Sequence, residues 1–202
     1  MGSVPHTYHP TGAPQATSDL DGERQSEAVT RPEILSGAER RLAVEHWLLT
    51  AAEDYARARQ EWRTEGVALL RCGGVFGVVR ISAEIVRAAA GTEDLATVDR
   101  FLARALLGGP VFMDQGLLRY YALVGSGTGR RPEWKRVRDD AEFMGVGHYL
   151  GVPAADATSP KMRRYWCVGM DSAGELAPAD AVAQLVHAGR FQLVGRERQL
   201  GG

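Results

Sequence analysis

The chain has 202 residues, 45% of them hydrophobic and 24% charged, with a formal net charge of −1. That length suits one ordinary domain with a tail rather than two domains, and that composition belongs to a folded body rather than a disordered chain. The near-neutral balance excludes an argument from global charge for binding nucleic acid or an anionic membrane, so any such case has to rest on a local cluster.

Only Cys72 and Cys167 are present. They stand in neither a metal-ligand spacing nor a disulfide-rich framework and read as small apolar strand residues of a reducing compartment, with a long-range disulfide left open. No apolar run approaches the roughly eighteen residues of a membrane span, and the N-terminus lacks the basic-then-apolar pattern of a signal peptide. The expectation is a cytoplasmic protein that makes no use of a membrane.

Residues 1–35 are rich in Pro, Gly, Ser, Thr, Ala, Gln and His without apolar periodicity, the composition of a disordered arm. Asp19 and Asp21 form a D-x-D pair there, and His6 and His9 are close in sequence, but neither pair has a strand or packed shell to hold metal geometry. They read as solvated linker. Ser36-Gly37-Ala38-Glu39 is a capping box, predicting a long helix that ends near Gly66. Its buried stripe is Val44, Leu48, Ala52, Tyr55 and Trp62. His46 and Trp47 lie beside that stripe and, with Trp62, form a candidate docking edge for a protein partner.

Val67–Cys72 and Val75–Ile81 are β-branched runs separated by Gly73-Gly74, predicting a hairpin or one bulged continuous strand, with both runs in the sheet. Ser82 then caps a helix that stops at Gly91, and Thr92 caps another that ends at Gly108-Gly109-Pro110. Val111–Met113 and Leu117–Val124 flank Asp114-Gln115-Gly116, a tight antiparallel hairpin; Leu118, Tyr120, Ala122 and Val124 share one strand face. A Gly-rich loop, a short helix around Trp134–Phe143, and strands at His148–Val152 and Tyr165–Met170 follow. Pro178 opens a last helix closed by Gly189. The order predicts an α+β domain over 36–192: a mostly antiparallel sheet packed by a long N-terminal helix and three or four shorter ones, with a flexible tail over 193–202.

The loop Gly125-Ser126-Gly127-Thr128-Gly129-Arg130-Arg131 follows a strand, where glycines can let backbone amides approach an anion. It meets neither the P-loop nor the dinucleotide spacing and reads first as a plain connection. Ser126 is not in a nucleophile elbow, neither cysteine has an assignable histidine, and no zinc-ligand spacing occurs, so no catalytic residue, cofactor or metal is assigned. His148 and His187 are the remaining acid-base candidates and read as structural. Asp139, Asp140 and Glu142 read as the exposed side of a short helix. The one charged cluster is Arg119, Arg130, Arg131, Lys135, Arg136 and Arg138, joined by Lys161, Arg163 and Arg164. Tyr121, Trp134 and Trp166 are interleaved with it. Cations neutralise phosphates and exposed rings stack on unpaired bases, so these residues form a candidate nucleic-acid surface.

Several stretches carry a resemblance: Gly109-Pro110-Val111, Arg119-Tyr120-Tyr121-Ala122-Leu123-Val124, Gly147-His148-Tyr149-Leu150-Gly151-Val152-Pro153 and Tyr165-Trp166. From Gly66 onward the chain resembles small actinobacterial proteins, and in layout it is distantly similar to the C-terminal half of bifunctional primase-polymerases. Primase-polymerases hold metal-binding acids on strands, and the predicted sheet here offers no such pair. The resemblance therefore implies a shortened relative without that chemistry, retaining partner or nucleic-acid binding. The functional expectation is a non-catalytic binding or regulatory protein acting through a protein partner. The alternatives are a nucleic-acid-binding accessory factor and, last, an enzyme built around His148 and Tyr149.

Overall fold

Ser36 starts the first helix by the reciprocal bonds its sequence calls for: its Oγ accepts from the Glu39 amide at 3.2 Å, and Glu39 Oε2 accepts from the Ser36 amide at 2.7 Å. The computed structural model describes residues 36–134 and 139–200, all within the compact unit Leu35–Gly202. The expected arm, with His6, His9, Asp19 and Asp21, lies outside the described residues. No described helix is long and apolar enough to cross a membrane.

The long helix is in fact two, α1 (Gly37–Leu49) and α2 (Tyr55–Glu65). Thr50 ends the first by donating its hydroxyl to the Trp47 carbonyl at 2.6 Å, and Asp54 starts the second by accepting from the Arg57 amide at 3.0 Å. The break frees the Ala51 carbonyl to accept from Arg71. Helical periodicity persists across it because both helices bury residues in one core: Val44 and Leu48 from α1, Ala58 and Trp62 from α2. Gly66, at φ 72°, ends α2 in the left-handed conformation that glycine adopts without strain.

Seven strands occur among the described residues: β1 (Val67–Arg71), β2 (Gly77–Ser82), β3 (Val111–Asp114), β4 (Arg119–Val124), β5 (Ala141–Met144), β6 (Tyr149–Pro153) and β7 (Arg164–Val168). Three more helices complete the fold: α3 (Ala83–Ala90), α4 (Leu95–Ala105) and α5 (Ala179–Leu200). The main sheet has the order β5-β2-β4-β3-β7, and β1 pairs with β6 in a second sheet; every pairing is antiparallel. The fold is α+β, as expected, but β1 is not in the main sheet.

The two sheets share one bent ribbon. β1 runs into β2 while β5 runs into β6, and the six residues between Arg71 and Val78 stand opposite the four between Met144 and Tyr149. The surplus forms a bulge in which the Gly73 amide donates to the Phe76 carbonyl at 2.7 Å. Gly73 has φ 91°, and a Cβ there would run into the Val146 backbone. Of the two readings of Gly73-Gly74, the bulged continuous strand is the one adopted.

The main sheet is covered on both faces. Val79, Ile81, Val111, Met113, Tyr120, Ala122 and Tyr165 point to one side, where Ile85, Val98, Leu102, Val182 and Val186 of α3, α4 and α5 meet them. Val78, Phe112, Tyr121, Leu123 and Trp166 point to the other, into a cluster with Leu48, Trp62, Leu70 and Val152 of α1, α2, β1 and β6. Cys167 packs against the first cluster, Cys72 belongs to the second, and both are free thiols.

Local chemistry corrects four boundaries. Asp94 rather than Thr92 caps α4, accepting from the Thr97 amide at 2.9 Å and its hydroxyl at 2.6 Å, while Thr92 accepts from the Asp94 amide. The β3–β4 hairpin forms, but Leu117 and Leu118 are exposed turn residues, because the buried Asp114 carboxylate gathers the Gly116 and Leu117 amides at 2.9 and 3.1 Å. That carboxylate also accepts from Arg164 at 2.5 Å, tying the turn to β7. Residues 141–144 form a strand rather than the end of a short helix; its start falls on residues 135–138, which are not described. Finally α5 runs through Gly189 to Leu200, so 193–200 is helical instead of a tail. Gly189 lies where α5 crosses α3, and a Cβ there would collide with the Ile85 carbonyl and side chain. It serves helix–helix approach.

One polar group in the first cluster works against its surroundings. Asp99 of α4 accepts from the Tyr165 hydroxyl at 3.3 Å, and burial pushes its carboxyl above the usual range. Burial likewise pushes the Cys167 thiol up.

Two predictions follow from packing and burial. Gly189→Ala, forcing α5 off α3, lowers stability by about 2 kcal/mol or more, while Gly195→Ala, with open space at its Cβ, changes it by less than about 1 kcal/mol in the stabilising direction; urea unfolding of both variants checks this. Because the folded-state pKa of Asp99 is raised, its contribution is fully present below the unfolded value and is lost as pH rises through the folded one. Asp99→Asn therefore raises the thermal midpoint by a few degrees at about pH 7, and the gap narrows as pH falls toward about 4.

Candidate partner-binding groove

Leu42, Glu45 and His46 of α1 stand at i, i+3 and i+4, as do Arg59, Trp62 and Arg63 of α2. Each triad therefore occupies one helix face. The break at Thr50–Asp54 turns these faces toward each other, and with Ala154 and Asp156 they line a groove of about 410 Å³. A single helix would have put Leu42 and Arg59 about 25 Å apart along its axis.

Trp62 lines the groove as a largely buried ring, 9% exposed, fixed by donating Nε1 to the Val152 carbonyl at 3.0 Å. Leu42 is 50% exposed and supplies an apolar lip. On the other side of α1 a second depression of about 420 Å³ is lined by Arg40, Arg41, Val44, Met170 and Asp171 among others, and shares Asp156 with the first. Arg40, Arg41, Arg59 and Arg63 form no ion pair among the described residues, whereas most arginines elsewhere in the fold do. Glu45, Asp156 and Asp171 are the acids nearby. The surface thus combines an apolar floor with a rim of alternating charge.

The far side of α2 differs. Glu61 accepts from the Leu69 amide at 3.0 Å and from Arg57 at 2.9 Å, and these two bonds hold its carboxyl below the usual range. Tyr149 donates to Glu53 at 2.5 Å. Those groups satisfy one another, and they close the outer edge of β1.

Of the predicted partner residues, the structure brings His46 and Trp62 into the groove. Trp47 is half-buried and turns the other way, its ring 5.9 Å from that of Phe76. Leu42, Arg59, Arg63 and Asp156 were missed; the two i, i+3, i+4 triads were the available signal, hidden by reading one helix where there are two.

The basic aromatic surface does not assemble as expected. Tyr121, Trp134 and Trp166 are all buried: Tyr121 stacks on Phe112 at 4.9 Å, and Trp166 donates to the Ala154 carbonyl at 3.0 Å. A ring enclosed in a core cannot stack on a base. Arg131 is held by Asp180 and Glu133, and Arg163 and Arg164 both face Asp114. Arg119 is half-buried and donates to the Leu118 carbonyl, while Arg130 and Lys161 are exposed. Lys135, Arg136 and Arg138 lie outside the described residues. Asp140 pairs with Arg190 and Glu142 with Arg80. Among the described residues no three His, Cys, Asp or Glu side chains are grouped so as to hold a metal ion.

The Gly-rich loop has a steric explanation. It winds into a 3₁₀ turn over Ser126–Arg130, and Gly129, Gly77 and Gly145 surround the ring of Phe143, which a Cβ at any of the three would strike. Comparison with family models, curated proteins and solved structures finds no match to this chain.

The cage around Phe143 carries a prediction. Gly129→Ala, which displaces the ring, costs about 1–3 kcal/mol, while Gly125→Ala, with nothing near its Cβ, has little effect; thermal unfolding of the two variants separates them.

Proposed function

We propose that this chain is a non-catalytic binding protein that acts through a protein partner, and that the groove between α1 and α2 seats an acidic segment of that partner. The observation that carries this reading is the pairing of the Trp62 and Leu42 surface with Arg59 and Arg63, which have no ion-pair partner among the described residues. The half-exposed Leu42, beside the edge of the largely buried Trp62 and cations without an ion-pair partner among the described residues, suits a segment in which a Leu or Phe is flanked by Asp or Glu. Such a segment buries its apolar side chain against Leu42 and places its carboxylates on the guanidinium groups. His46 and Glu45 at the α1 rim add polarity that selects register.

The nucleic-acid alternative keeps cations but has lost its stacking rings to the core. It now requires binding by charge alone, which would show as weak, sequence-blind and steeply salt-dependent affinity.

The test is selection from a displayed library of random peptides, followed by affinity measurement on the wild type and on the double variant Arg59→Glu/Arg63→Glu. Selected peptides are expected to combine Asp or Glu with Leu or Phe, and charge reversal is expected to weaken them at least about tenfold with the circular dichroism unchanged. Peptides of no common charge, or affinities that ignore the double variant, overturn the assignment. Anisotropy titration with labelled oligonucleotides in parallel separates the alternative.

A further inference from the structure

α5 presents two faces. Val182, Leu185, Val186 and Gly189 are buried on the side of the sheet and α3. His187, Ala188, Phe191, Val194, Gly195 and Arg198 are all exposed and fall within about 120° of one another around the helix axis. From Phe191 on, Leu193 is the single described residue that is not exposed, so the end of the helix stands clear of the domain. Phe191 is 71% exposed and Val194 45%. This face lies across the main sheet from the α1–α2 groove.

Two features of this end are unfavourable in a lone chain: a phenylalanine ring left in water, and a glycine in a helix where alanine would be better. Gly189 has a steric reason for being glycine, whereas no described residue gives Gly195 one, since a Cβ there would meet nothing within 4 Å. Phe191 and Gly195 stand at i and i+4, so the face carries a ring beside a gap. Such a face is its own complement. When a second copy of α5 is laid antiparallel about a two-fold axis level with residue 193, Phe191 of each copy enters the gap at Gly195 of the other. The two Val194 side chains then meet near the axis, about 3 Å apart along it. Arg198 lies opposite Ala188 of the other copy, a small residue that its stem can cover, and the two Arg198 charges are about 15 Å apart along the helices. A parallel pair would instead stack Phe191 on Phe191, leave the two glycines facing a void and set Arg198 against Arg198.

We infer that this chain self-associates through the exposed face of α5, as an antiparallel two-fold dimer in which Phe191 of each copy packs over Gly195 of the other. Only a few helical turns take part, so the interface falls short of the roughly 800 Å² per partner of standard stable complexes, and the dimer is weak, with a Kd on the order of 10–100 µM. The inference does not depend on what the α1–α2 groove binds.

The test is sedimentation equilibrium of the full chain from about 1 to about 500 µM, where a reversible monomer–dimer transition is expected. Gly195→Leu fills the gap and Phe191→Ser removes the ring, and each is expected to raise the Kd at least about tenfold. Gly195→Leu, a better helix former with open space at its Cβ, is expected to do so without lowering the thermal midpoint measured at low concentration. Oxidative cross-linking reads the direction, with the wild type as the control for Cys72 and Cys167: Val194→Cys is expected to link the two copies, and Arg198→Cys, whose two equivalents lie far from the axis, is not. A chain that stays monomeric throughout, a Kd that ignores Gly195→Leu or Phe191→Ser, or linkage through Arg198→Cys in preference to Val194→Cys each overturn the proposal.

Discussion

Tyr120 and Tyr121 are neighbours on β4, and their side chains leave the strand in opposite directions into two separate apolar clusters. That divergence sets the rest of the structure. A strand whose consecutive residues are all apolar cannot leave either face wet, so the main sheet needs two covers. On one face, α3, α4 and α5 provide the cover, with α5 brought close to α3 at Gly189. On the other, the ribbon of β1–β2 and β5–β6 bends at Gly73 so that its far half lies with α1 and α2 over Tyr121, Leu123 and Trp166. The groove exists because two helices, rather than one, are needed to finish that cover.

The same demand decides which charges are available. Asp114 is enclosed and would be costly alone, so it draws in Arg163, Arg164 and two turn amides. Asp140 and Asp180 hold α5 through Arg190 and Arg131. Among the arginines at 119–164, Arg131, Arg163 and Arg164 thus fasten strand ends and a helix end. Arg40, Arg41, Arg59 and Arg63 of α1 and α2 have no comparable acid opposite them among the described residues, and positive charge remains unpaired there. Density of basic residues along a chain is a poor guide to where charge is accessible once folding has consumed part of it.

What was legible from the residues was local. Ser36 and Glu39 make their capping box, Ser82 caps α3, and Gly66 and Gly91 close helices at left-handed positions. Asp114 nucleates its turn, and the runs at 149–153 and 164–168 are strands. Errors arose where a distant group decides. Gly189 reads as a helix stop, yet it is placed for the Ile85 carbonyl. Phe143 reads as helical, yet it completes β5 because β2 offers an edge and three glycines leave a cage. Thr50 and Asp54 carry the signs of a helix break, but the apolar period on both sides masked them, since both helices answer to one core.

By itself, then, the sequence determined the α+β class, most elements and their caps, because each depends on residues within a few positions of one another. Only the tertiary structure decided that Trp62 would line a groove while Trp166 would vanish into the core, that β1 would pair with β6 instead of joining the main sheet, and that Arg59 would stay unpaired while Arg164 would not. Those outcomes depend on partners tens of residues away, and burial or pairing with such a partner is a property of the packed chain that no local pattern encodes.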